Sequence, residues 1–175
     1  VFVAPTTDLV QIGQKLALQS DGKLIVLGSA IIRLTTDGQL DPSFGIGGIV
    51  RQLTVGGFYP FFVDLECQAD DKLVLFGMIE TPSRLFVLVR LDADGNLDPT
   101  FGSGGATITA PPQYADAHSL TVQPDGKFVG AGNSILRYLP DGTPDPSFGV
   151  GGIVSFGHAA YFGLGAYGAA LLMKQ

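Results

Sequence analysis

The segment Leu40-Asp41-Pro42-Ser43-Phe44-Gly45-Ile46-Gly47-Gly48-Ile49-Val50 returns as Leu97-Asp98-Pro99-Thr100-Phe101-Gly102-Ser103-Gly104-Gly105. It returns again as Pro144-Asp145-Pro146-Ser147-Phe148-Gly149-Val150-Gly151-Gly152-Ile153-Val154. The signature phenylalanines at 44, 101 and 148 step by 57 and 47 positions, and arginines at 33, 90 and 137 step identically. A period of about 20–50 residues marks a tandem array, in which one unit is too small to bury its own apolar face and must lean on its neighbours.

Each unit reads as short strands separated by tight turns. Leu16-Ala17-Leu18-Gln19 leads into Ser20-Asp21-Gly22-Lys23, where Asp-Gly supplies the positive φ of a hairpin. Leu24-Ile25-Val26-Leu27 is apolar without alternation, the pattern expected of a strand covered on both faces. Ile31-Ile32-Arg33-Leu34, the Asp37-Gly38 turn and the signature complete four strands. The order recurs through Asp70-Asp71-Lys72 and Asp94-Gly95, then through Asp125-Gly126-Lys127 and Asp141-Gly142. The middle unit's extra length falls between Lys72 and Arg90 and predicts an extended hairpin tip over 78–84. Units are expected at about 1–48, 49–105 and 106–152, with a partial fourth over 153–175. The fold class that follows is all-β: a propeller-like array of four-stranded antiparallel blades, about three and a half repeats, in one repeat domain over 1–175. Three blades do not close a ring that typically needs about four to eight. The chain is therefore expected to be part of a longer one, or to form a homo-oligomer.

Composition agrees with this reading and narrows the partners. Gly 25 and Pro 11 suit many turns, while 46% apolar residues and 12 Phe supply a core. A net charge of −6 with ten Lys and Arg leaves no basic stripe for phosphates, so neither nucleic acid nor an anionic membrane surface is an expected partner. No apolar run reaches the roughly 18 residues of a membrane span; the stretch 159–173 is interrupted by glycines and tyrosines. The opening Val1-Phe2-Val3-Ala4-Pro5 has neither an initiating Met nor a signal peptide, which suggests a processed product or an excised piece. Cys67 is the lone cysteine, so an internal disulfide is excluded.

The Asp-Gly-Lys turn, the Arg-Leu strand end, the second Asp-Gly turn and the closing Leu-Asp-x-x-Phe-Gly-x-Gly-Gly together resemble the delta-60 repeat family of bacterial tandem repeats. The likeness covers roughly 16–154. Asp71 replaces the turn glycine, and Pro144 replaces the leucine before the third signature. The resemblance implies a propeller-like β array in large secreted or cell-surface proteins, with no established catalytic activity and no cofactor.

What recurs in every unit is most simply scaffold. Arg33, Arg90 and Arg137, with Asp41, Asp98 and Asp145, are expected to make a contact inside each blade, and the three phenylalanines to anchor the core. Asp92-Ala93-Asp94-Gly95-Asn96 has alternating oxygen side chains, but its glycine sits too early for a calcium loop and no glutamate follows, so a hairpin turn is expected. Gly163-Leu164-Gly165-Ala166-Tyr167-Gly168 spells a dinucleotide fingerprint without its strand-to-helix context. No nucleophile–base or metal-ligand motif appears, so no enzyme is expected. The candidate ligand-binding residues are aromatics and histidines of the connections: Tyr59, Tyr114, His118, His158, Tyr161, Phe162 and Tyr167. Rings with one polar edge on loops suit a glycan or a protein surface. The function expected is extracellular binding or adhesion, and the alternative is a structural spacer or self-assembly segment.

Overall fold

The computed structural model describes residues 13–111 and 114–155. They form twelve strands in three antiparallel four-stranded sheets, each built in sequence order. The first holds β1 (Lys15–Leu18), β2 (Leu24–Leu27), β3 (Ile31–Leu34) and β4 (Ile49–Val50). The second holds β5 (Phe61–Cys67), β6 (Leu73–Ile79), β7 (Leu85–Leu91) and β8 (Ala106–Thr109). The third holds β9 (Ala117–Val122), β10 (Phe128–Gly132), β11 (Ser134–Tyr138) and β12 (Ile153–Ser155). The expected partial fourth unit lies outside the described residues. Among those described there is no helix.

The middle sheet shows why such units stand in series. Side chains alternate across a strand, so Leu73, Leu75 and Ile79 of β6 join Ile25, Leu27 and Phe44 of the first sheet. Val74, Phe76 and Met78 join Leu120, Phe128 and Tyr138 of the third. Every residue of β6 is buried. Strand β2, expected from its unbroken apolar run to be covered on both faces, is covered on one: Ile25 and Leu27 are buried while Leu24 and Val26 are half-buried. The same run in β6 has a neighbour on each side, whereas the first sheet has one among the described residues. The longer middle unit also differs from expectation. Met78 and Ile79 are buried strand residues paired with Phe86 and Leu85, so both strands are lengthened and the exposed tip is confined to 80–84.

The signature joins consecutive sheets. In the first junction, the Gly45 amide donates to Asp94 O at 2.8 Å, Arg33 Nη1 donates to Ala93 O, and the Phe44 ring lies against Gly95. In the second, the Gly102 amide donates to Asp141 O at 2.7 Å, Arg90 Nη1 donates to Pro140 O at 3.2 Å, and the Phe101 ring lies against Gly142. A Cβ on Gly142, whose φ is +86°, would stand 2.7 Å from that ring, so the turn must present glycine for the ring to seat. The arginines stack on the same phenylalanines, their guanidinium carbons 4.9 Å (Arg33–Phe44) and 4.5 Å (Arg90–Phe101) from the ring centroids.

Candidate functional site

The recurring charges are scaffold in each sheet. Arg90 Nε donates to Asp98 Oδ2, and Arg137 Nε to Asp145 Oδ2, each at 2.9 Å. Arg33 Nε and Asp41 Oδ2 stand equally close as an ion pair out of hydrogen-bond alignment. The lysine of each first turn closes on the same carboxylate: Lys23 at 3.2 Å, Lys72 at 3.1 Å and Lys127 at 3.5 Å. The other carboxylate oxygen caps the signature turn, accepting from the hydroxyl and amide two residues on. The Ser43 hydroxyl, then its amide and the nearby cations, holds Asp41 far below the usual carboxylate range. The Thr100 hydroxyl does the same for Asp98, and the Ser147 hydroxyl leads in bringing Asp145 to about 2. With both oxygens engaged, these carboxylates have no free edge for a ligand.

Two residues that occur once also tie sheets together. Asp64 is buried in β5 at a break in register; its Oδ1 accepts from its neighbour's amide, Leu65 N, and its Oδ2 from Leu120 N of the third sheet, both at 2.8 Å. Lys15 of the first sheet stands 3.2 Å from the same carboxylate. Asp71, at φ +63°, takes the left-handed conformation of the glycine it replaces, and its side chain accepts from the Ser20 amide and hydroxyl. Those bonds lead in lowering the Asp71 carboxyl from its usual value.

The described candidate binding residues, Tyr59, Tyr114 and His118, lie in or just before the first strands of the second and third sheets. Tyr59 precedes Leu65 by the same distance as Tyr114 precedes Leu120, so the two tyrosines enter the first strands of consecutive sheets at equivalent positions. Both are exposed, Tyr59 by 66% and Tyr114 by 52%. Tyr59 and Phe61 line a 460 Å³ cavity between the first and second sheets. Its lining includes apolar Leu27, Ile31 and Phe62, and its polar side chains come from Gln14, Ser29, Arg51 and Gln52. Neighbours on a strand point to opposite faces: Phe62 packs into the core, and Phe61 is 56% exposed. Tyr114 lies outside this cavity, its carbonyl accepting from Asn133 Nδ2 at 2.5 Å.

His118 is exposed on β9, its Nε2 3.5 Å from Asp116 Oδ2. It lies outside that cavity, and among the described residues no hydroxyl or thiol is hydrogen-bonded to it. Burial, with nearby Asp71 next, pushes the Cys67 thiol up to about 11, away from thiolate reactivity. The Asp92 carboxylate accepts from Asp94 N at 3.0 Å and Asn96 N at 2.8 Å, the expected hairpin turn. Among the described residues no cluster of metal-ligating side chains occurs. His158, Tyr161, Phe162 and Tyr167, and the glycine-rich 163–168, lie outside the described residues.

Three antiparallel four-stranded sheets in series, locked by a repeated clamp, define a β-propeller repeat chain. Residues 19–44, 68–101 and 123–148 match the profile of a family described as "Domain of unknown function (DUF5122) beta-propeller". No curated protein matches the chain in sequence. Among solved structures it is similar to a protein of unknown function from Bacteroides caccae, at 11% identity and TM-score 0.50, covering 79% of this chain and 46% of that one. It is similar as well to the PQQ-bound aldose sugar dehydrogenase of Streptomyces coelicolor, at 16% identity and TM-score 0.50, covering 82% of this chain and 50% of that one. At such identities the likeness concerns the fold alone. The chain spans about half the length of each.

Proposed function

We propose that this β-propeller segment is a non-enzymatic binding module that recognises a glycan or a protein surface at the mouth of the cavity between the first two sheets. The observation that carries the reading is Tyr59 and Phe61 held 66% and 56% exposed over a 460 Å³ cavity whose polar side chains are Gln14, Ser29, Arg51 and Gln52. Adjacent aromatic rings left in water are an unspent apolar area, and amide and guanidinium groups beside them supply directional donors. Tyr114 is an exposed tyrosine at the equivalent position before the next sheet and offers a second ring to a partner. The placement of exposed His118 and half-buried Asp116 outside the cavity supports binding over catalysis. Its resemblance to delta-60 repeats supports a place outside the cell or on its surface, in an adhesive role.

Glycan-array screening followed by NMR titration of the best hit tests the reading. The expected result is binding whose shift changes centre on residues 51–62 and is lost in Tyr59→Ala and Phe61→Ala. No glycan or displayed peptide bound above background, or binding indifferent to both substitutions, refutes it. A spacer or assembly role is the second reading, favoured by the open outer face of the first sheet, where Leu16 and Leu18 are more than half exposed.

A further inference from the structure

Every sheet carries two halves of one joint. The clamp half is the arginine Nη1, the signature phenylalanine and the amide of the glycine after it. The turn half is an Asp-Gly pair, which offers the carbonyl of Asp, the carbonyl of the residue before it and a glycine with no Cβ. The first sheet's clamp takes the turn Ala93-Asp94-Gly95, and the second sheet's takes Pro140-Asp141-Gly142.

Two halves are left over. On the third sheet, Arg137 spends Nε on Asp145 and Nη2 on Ser147, its guanidinium carbon lies 4.4 Å from the Phe148 ring centroid, and its Nη1 meets no acceptor among the described residues. The Gly149 amide likewise has no partner there. Phe148 is half-buried where Phe44 and Phe101 are wholly buried. On the first sheet, the carbonyls of Thr36 and Asp37 accept no hydrogen bond among the described residues. Gly38 has the φ of its counterparts, +81° against +90° and +86°, but nothing lies within 4 Å of where its Cβ would be. A Cβ on Gly95 or Gly142 would meet a phenylalanine ring at 2.9 or 2.7 Å.

No described residue closes the sheet faces beside these halves. Leu16 and Leu18, 64% and 66% exposed, pair across the strands with half-buried Val26 and Leu24 and so share one apolar face of the first sheet. Val129, Ala131 and Ile135 form the half-buried outer face of the third. In the middle sheet, β6 is buried throughout and β7 is buried beyond Leu85, so both faces of those strands are covered.

We propose that the third sheet's clamp takes the Thr36-Asp37-Gly38 turn of a second copy of this chain, while that copy's clamp takes this chain's turn, so that two chains close head to tail into a six-sheet ring. The fit is specific in both directions: two N–H donors flank a ring on one side, and on the other two carbonyls that accept no hydrogen bond among the described residues precede a glycine. The arrangement has already formed twice within the chain. The number of chains follows from closure. Two copies of the three described sheets give six, within the roughly four to eight blades of closed propellers, whereas three copies give nine. A head-to-tail contact that fails to close would leave a free clamp and a free turn at the ends of every oligomer and would grow into a filament. The proposal concerns the two ends of the array and is independent of the binding cavity.

Light scattering after size exclusion, on the full chain over a range of concentrations, tests it together with two substitutions. Phe148→Ala removes the clamp's ring. Gly38→Asn keeps the monomer's backbone, since asparagine tolerates positive φ, but it puts a side chain where the partner's ring must sit. The wild type is expected at twice the 18.3 kDa chain mass, and each variant alone at the single mass with an unchanged circular dichroism spectrum. An equimolar mixture of the variants is expected to recover a two-chain species, because one intact clamp then meets one intact turn. That species should dissociate at higher concentration than the wild type, having one joint in place of two. A wild type that stays monomeric overturns the proposal and assigns the clamp to a further repeat of a longer chain. A dimer that survives both substitutions, or a mixture no more associated than its components, overturns it equally.

Discussion

Removing the Asp64 carboxylate should cost more than any surface ion pair in the molecule. Asp64 is 2% exposed and serves two amides at 2.8 Å, Leu65 N in its own strand and Leu120 N in the next sheet. In Asp64→Ala both amides lose an ionised acceptor inside the protein. At about 1–3 kcal/mol for each buried donor left unsatisfied, with some relaxation, the loss is about 3 kcal/mol. Lys15 adds little to this sum, because its side chain is 46% exposed and returns to water when the partner is gone. Lys15→Ala should therefore cost under about 1 kcal/mol, and Asp64→Asn, which keeps an acceptor oxygen but not its charge, about 1–2 kcal/mol. Urea titration gives the three stabilities, and hydrogen exchange at the Leu120 amide shows whether the second bond is the one lost. Equal losses for Lys15→Ala and Asp64→Ala would refute the reasoning, since the ion pair and not amide ligation would then hold the sheets. A Leu120 amide as protected in Asp64→Ala as in the wild type would refute it as well.

Two further outcomes follow from the junctions and the recurring carboxylates. Gly142→Ala forces an L side chain to φ +86° and drives its Cβ to 2.7 Å from the Phe101 ring, so a loss of about 2–4 kcal/mol is expected by thermal or urea unfolding. Asp41, Asp98 and Asp145 are depressed in the folded chain relative to about 3.9 when unfolded, so their stabilisation is complete above that value and disappears as protons bind. Stability should accordingly fall as pH drops from about 4 towards 2, where Asp145 titrates, and continue falling below it as Asp98 and Asp41 do. Circular dichroism melts across that range check the sign, and a melting temperature that rises on acidification contradicts it.

The recurring residues made the interior of each sheet readable from sequence. An arginine and an aspartate that step together through three units are partners in the folded chain, and Phe44 and Phe101 are core. The junction between sheets was not readable, because what the clamp grips is backbone: the carbonyls of Ala93, Asp94, Pro140 and Asp141 carry no side-chain identity. Alternation also failed as a measure of burial. Leu24-Ile25-Val26-Leu27 and Leu73-Val74-Leu75-Phe76 look alike, yet position in the array decides whether one face or both are covered. Asp64 left a trace that was open to reading, a charge inside Phe61-Phe62-Val63-Asp64-Leu65, where only a fixed set of partners makes burial tolerable. Tyr59 and Tyr114 entered as residues outside the repeat, and their equal spacing before Leu65 and Leu120 on paired first strands reveals them as counterparts. The cavity beside Tyr59 draws on Gln14, on the β2–β3 hairpin and on residues 50–53, segments brought together by the folding of two sheets.

The joint between sheets is open to direct observation by NMR at the turn glycines. In Gly95 and Gly142 one α-proton occupies the direction in which a Cβ would meet the Phe44 or Phe101 ring, at 2.9 and 2.7 Å. Each of these protons should therefore be displaced upfield by ring currents and show a nuclear Overhauser contact to its phenylalanine, with both signals abolished by Phe44→Leu and Phe101→Leu respectively. Glycine α-protons at ordinary shifts with no contact to either ring would mean that the signature does not seat on the following sheet's turn, and the series packing would fall with it.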